Sequence, residues 1–168
     1  RAATGVVVCA NVANSVDARL AQLGRTLTDR DVEPNTCATV EYGRSLTAPQ
    51  FAAAMQIIHR TGRALARFHE SYDLMLSPTL VSPPVPLGWL DTVNLDGATF
   101  ADRFGRFWGF TNLQNATGQP AISLPLHWSA DGLPIGVQFA GRFGDDLLLL
   151  QLAAELEQAQ PWFDRRPS

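Results

Sequence analysis

Apolar residues recur at spacings of three and four over Phe51, Met55, Ile58, Gly62, Leu65, Phe68 and Tyr72, while Gln56, Arg60, Arg63, Arg67 and Glu70 fall on the other side. One helix with a single apolar stripe is the reading, and such a stripe is core. Its start is marked by Thr47-Ala48-Pro49-Gln50, a Thr-x-x-Gln capping box with proline just inside. The pattern changes at Asp73. Leu74–Leu76 is a short apolar run cut off by Ser77-Pro78, which reads as a strand buried on both faces with neighbours on both sides. Pro78, Pro83, Pro84 and Pro86 then exclude helix and predict a stiff loop as far as Asp91.

Helical patterns return at Thr99–Phe107 and at about Phe110–Ala116, the second stopped by Gly118. Gln119–Leu126 reads as a strand with Pro120 and Pro125 at its ends. In 134–140, Ile135, Val137 and Phe139 alternate with Gly136, Gln138 and Ala140. With a turn signal at Asp131-Gly132, the two strands pair as a hairpin. A last helix over Asp146–Ala159, capped by Gly144 or Asp145, ends at Pro161. Upstream, Asn14–Leu23 is helical with Gly24 as its stop, Pro34 opens a short helix ending near Gly43, and 1–13 reads either as a helix start or as a displaced tail. The expected fold class is layered α/β, with about 1–72 mainly helical and 73–168 holding the sheet region. Three strands make an incomplete sheet.

Composition sharpens this in two ways. The charged fraction is 17% of 168 residues, below the roughly 25% usual for a free-standing domain, which suggests surface meant to be covered. All 13 basic residues are arginine, so no lysine-dependent chemistry is available from this chain. A net charge of −3 without a basic stripe argues against a nucleic-acid partner, and no apolar run is long enough for a membrane span. Cys9 and Cys37 lack CxxC spacing and partner histidines, as reduced cysteines of a cytoplasmic protein do.

The search for chemistry finds no H-x-x-x-H metal spacing, no G-x-S-x-G elbow and no glycine-rich phosphate loop. Neither a metal, a cofactor nor a catalytic residue is assigned. Polar groups converge at one place, where Asn115, Thr117 and Gln119 surround Gly118 at a helix-to-strand turn. They either finish the helix or face a cleft, and both roles are compatible.

NATGQPAISLP, GLPIGVQFAG and GDDLLLLQLAAELEQAQPW, in this order, resemble the C-terminal end of the amidase signature family. DVEPNTCATVEYGRSLTAPQFAAAMQIIHRTGRALARFHESYDLMLSPTLVSPPVPLGWLD resembles the branch that holds 6-aminohexanoate-cyclic-dimer hydrolases and acylamidases. The resemblance implies a mixed β-sheet between helices. It also implies hydrolysis of amides by a serine nucleophile, a second serine and a lysine, with backbone N–H groups holding the oxyanion. This chain has neither a lysine nor a Ser-Ser pair. The expectation is therefore a C-terminal fragment of one amidase domain, inactive alone. It would meet a missing N-terminal portion or self-associate, and help to bind a small-molecule amide. Thr79, Phe110, Asn115, Thr117 and Cys37, at strand and helix ends, are the substrate-binding candidates. The alternative is a stand-alone binding or assembly module using an uncovered strand edge.

Overall fold

The computed structural model describes residues 2–166. Their elements follow the order α1 (Ala2–Leu23), α2 (Pro34–Ser45), α3 (Ala48–Phe68), β1 (Met75–Pro78), α4 (Gly97–Phe107), α5 (Asn112–Thr117), β2 (Ala121–Trp128), β3 (Pro134–Ala140) and α6 (Asp146–Ala159). They fall into two compact units, Arg1–His59 with Leu87–Gly105 and Arg60–Pro86 with Arg106–Ser168.

The first unit is helical. The small apolar residues of 2–13 continue directly into the helix that ends at Leu23, so α1 is one element of 22 residues. Gly43, expected near a helix end, lies inside α2, which runs on to Ser45. Its role is close approach: a Cβ there would stand 2.1 Å from the Cys9 carbonyl oxygen and 2.7 Å from Ala13 Cβ. α1 and α2 therefore cross where glycine lets the backbones touch. Val40 is fully buried. Burial pushes the Cys9 thiol up. The Arg44 guanidinium bridges Asp17 and holds that carboxyl below its ordinary range. Asn35 Nδ2 donates to the Thr92 carbonyl at 2.8 Å, tying the loop before α4 to α2. Asp96 caps α4 by accepting from Thr99 N at 2.9 Å and Thr99 Oγ1 at 2.6 Å.

The capping box of α3 is formed. Thr47 N donates to Gln50 Oε1 at 2.8 Å, and Gln50 N donates to Thr47 Oγ1 at 3.4 Å. The stripe on this helix is covered less than the pattern predicts. Ala54 is buried, whereas Phe51, Met55, Ile58, Leu65 and Phe68 are half-buried and Tyr72 is exposed.

The second unit holds a three-stranded sheet in the order β1-β3-β2, with both pairs antiparallel. The expected hairpin of β2 and β3 is present, closed by Gly132 N donating to the Ser129 carbonyl at 3.0 Å. β2 continues past Pro125 to Trp128, with the register shifting between Leu124 and His127. Proline has no N–H to give the ladder, so the irregularity falls there. As the incomplete sheet implies, the second neighbour expected for 74–76 is not found in the three-stranded sheet. Among the described residues β1 is an edge strand with β3 as its one neighbour, and Leu76 is 65% exposed.

The two sheet faces differ because side chains alternate. Ile122, Leu124, Val137 and Phe139 face α6 and form the core with Leu149, Leu152 and Leu156. On the opposite face, the register aligns Ser77, Gln138 and Ser123 in one row and Met75, Ala140 and Ala121 in the next.

Candidate functional site

The polar row lies on the sheet face away from α6, and α5 reaches it. Gln138 is buried. Its Nε2 donates to Gln114 Oε1 of α5 at 3.2 Å and to Ser77 Oγ of β1 at 3.3 Å. A buried side-chain amide needs such partners, so this strand position is polar for a structural reason. One row further along, Thr79 N donates to the Gly136 carbonyl at 3.0 Å. The Thr79 and Ser123 hydroxyls meet at 2.6 Å. A Cβ at Gly136 would come within 2.7 Å of both hydroxyl oxygens, so glycine opens the space between the outer strands. A cavity of 370 Å³ lies here, walled by Pro78, Leu80, Pro83, Pro84, Pro134 and Ile135, with Thr79, Ser123 and Gly136 in its lining.

The Gly118 turn sits beside α5. Gly118 has φ +81° and its N–H closes on the Gln114 carbonyl at 2.8 Å, the left-handed helix stop expected of glycine. Thr117 Oγ1 donates to the Leu113 carbonyl at 2.7 Å and meets the buried Gln119 side-chain amide, while its Cβ and methyl lie against Gly62 of α3. Thr117 and Gln119 thus lock the turn. At the entry to α5, Thr111 Oγ1 and Asn112 Oδ1 are buried with no hydrogen-bond partner among the described residues. Buried polar atoms of this kind are exceptions in folded proteins.

The structure brings some of the anticipated residues together and leaves others apart. Thr79 joins Ser123 and Gly136 at the cavity. Thr117 belongs to the turn. Asn115 is exposed on α5, its backbone N–H donating to the Thr111 carbonyl at 3.2 Å. Phe110 is 41% exposed just before α5. Cys37 is half-buried on α2 of the helical unit, its N–H on the Glu33 carbonyl at 2.9 Å. Gln114, Gln138 and Ser77 were not anticipated as a cluster. The signal for Gln138 was its place in the Gly136-x-Gln138-x-Ala140 alternation, where a long polar side chain stands among small ones.

Comparison with known proteins defines the class. Residues 7–150 match the family described as Amidase, and the chain belongs to that family. It is 37% identical over 162 residues to a 6-aminohexanoate-cyclic-dimer hydrolase of Pseudomonas sp. (strain NK87), which covers 93% of this chain and 33% of that protein. It is 39% identical over 101 residues to an acylamidase of Rhodococcus erythropolis, covering 60% of this chain and 21% of that enzyme. A solved structure of 6-aminohexanoate cyclic dimer hydrolase superposes on all of this chain with a TM-score of 0.87 at 34% identity, using 37% of its own length. The chain thus spans about a third or less of the length of these relatives. The fold is that of amidase signature enzymes. Among the described residues, no helix is long and apolar enough to cross a membrane.

Proposed function

We propose that this chain is the C-terminal part of one amidase domain, within an enzyme that hydrolyses carboxylic amide C–N bonds. It supplies sheet and pocket wall, while the Ser-Ser-Lys machinery lies outside residues 1–168. The observation that carries the reading is the superposition of this whole chain on 37% of a 6-aminohexanoate cyclic dimer hydrolase. The absence of lysine from the chain is consistent with it. So are the half-buried α3 stripe, the open edge of β1 and the partnerless Thr111 and Asn112 oxygens, each a surface that further chain would complete. The substrate is a small neutral amide, met by the sheet face that carries Thr79 and by Phe110, Asn115 and Thr117 around α5. Two free cysteines accord with a cytoplasmic setting.

Transplantation tests this. In the Pseudomonas hydrolase, the region matched by this chain is replaced with residues 1–168, and amide hydrolysis is followed by amine release. The expected outcome is turnover of at least one linear, cyclic or aryl amide. A folded, soluble chimera that turns over none of them contradicts the reading and favours a stand-alone binding module.

A further inference from the structure

We propose that a second cavity, between the turn end of the β2–β3 hairpin and the chain that follows α6, binds a planar aromatic carboxylate. The ring would lie against Trp128, Trp162 and Phe163, and the carboxylate on the Arg165 guanidinium. The cavity holds 320 Å³, at the lower end of small-molecule pockets. Pro125 and Pro134 complete its apolar wall, and Arg165 and Arg166 are its charged lining. This ligand chemistry is independent of the function proposed above, so either can fail without the other.

The chain after α6 is tied to the sheet. Gln160 Nε2 donates to the Leu126 carbonyl at 3.0 Å, and Trp162 packs against the core of Leu124, Phe139 and Leu149. Arg165 N then donates to the Trp162 carbonyl at 3.0 Å, a tight turn. On the hairpin side, Trp128 and Pro134 are paired across the strands. Prolines fix the backbone there, so little ordering accompanies binding.

The charge requirement comes from Arg165. Its Cζ lies over the Trp128 ring, 4.1 Å from the centroid. A guanidinium can stack on an aromatic face and still offer its N–H fork to a carboxylate. Among the described residues the Arg165 side chain makes no hydrogen bond or ion pair. Asp131 and Asp164, the nearest acids in sequence, are not in the lining and pair with neither arginine. Arg166 donates instead to the Phe163 and Arg165 carbonyls, so it adds charge without offering the same fork. A carboxylate fits the open fork with two parallel bonds. A neutral amide gains the stacking alone, and an ammonium meets like charge. Arg165 is exposed, which makes the preference modest and sensitive to salt.

The chain carries its own control. Arg103 also lies over a tryptophan, Trp89, at 5.4 Å, but its Nη1 donates to the Trp89 carbonyl at 2.8 Å. The probes are naphthoate and naphthamide, titrated into the full 168-residue chain with NMR detection at the four indole N–H signals. Naphthoate is expected to bind with a Kd of about 1 mM and to shift Trp128 and Trp162 but not Trp89 or Trp108. Naphthamide is expected to bind about fivefold more weakly. Arg165→Gln is expected to bring naphthoate to the affinity of naphthamide and to leave naphthamide unchanged. Raising salt from about 0.05 M to about 0.5 M should remove most of the same difference. Because Arg165 is exposed and outside the core, the variant keeps the fold, which its amide spectrum checks. No naphthoate binding up to the solubility limit, equal affinity for the two probes, equal shifts at all four indoles, or unchanged affinity in Arg165→Gln overturns the proposal.

Discussion

The two faces of the three-stranded sheet come from the same strands and obey opposite rules. On one face, Ile122, Leu124, Val137 and Phe139 meet α6, and Leu149 is 3% exposed. On the other, Ser77, Gln138 and Ser123 form a row bound to α5 through Gln114. The first face is held by burial, which is non-directional and tolerates changes of shape. The second is held by hydrogen bonds, which fix particular atoms at particular distances. The contrast divides labour within a period of two: odd and even positions of one strand serve stability and placement separately.

Breaking the apolar face has the largest expected effect. Leu149→Ala should cost about 2–5 kcal/mol in urea unfolding, because it removes the residue at the centre of the α6 contact. A cost below about 1 kcal/mol would mean that α6 does not anchor the sheet. Gln138→Leu comes next. It leaves Gln114 Oε1 and Ser77 Oγ without their shared donor and should cost about 1–3 kcal/mol by the same measurement. A neutral or stabilising result would show that the polar row is dispensable to the fold. Asn115→Ala sharpens the comparison from the other side. Its exposed side chain predicts a stability change within about 0.5 kcal/mol, together with a raised KM in the chimera. Equal loss of stability and turnover would make Asn115 a structural residue.

Much of this architecture was legible because periodicity survives in local sequence. The capping box at Thr47–Gln50, the Gly118 stop, the hairpin of β2 and β3 and the helix 146–159 follow from spacing and turn chemistry. The start of α1 stayed open between helix and tail because its small apolar residues carry no polar face to set a phase. α2 ends near Gly43 as read, but the part Gly43 plays in close helix crossing was not legible, because distant Cys9 decides it. Three strands already implied an incomplete sheet, but which segment lies beside β1 was illegible, since an apolar strand reads the same whether its second neighbour belongs to this chain or to another segment. At the site, Thr79 was placed correctly at a strand end. Its pairing with Ser123 depends on two strands registered through β3, and no local pattern encodes that.

In the function proposed here, these residues hold wall and sheet while the groups that break the amide bond lie elsewhere. The decisive quantity is the amide hydrolysis rate of the 168-residue chain by itself, measured through successive purification steps. The expected rate equals that of buffer at every step. A rate that scales with chain concentration, survives repurification and falls in a Ser77→Ala or Ser123→Ala variant would place a nucleophile among these residues and contradict it.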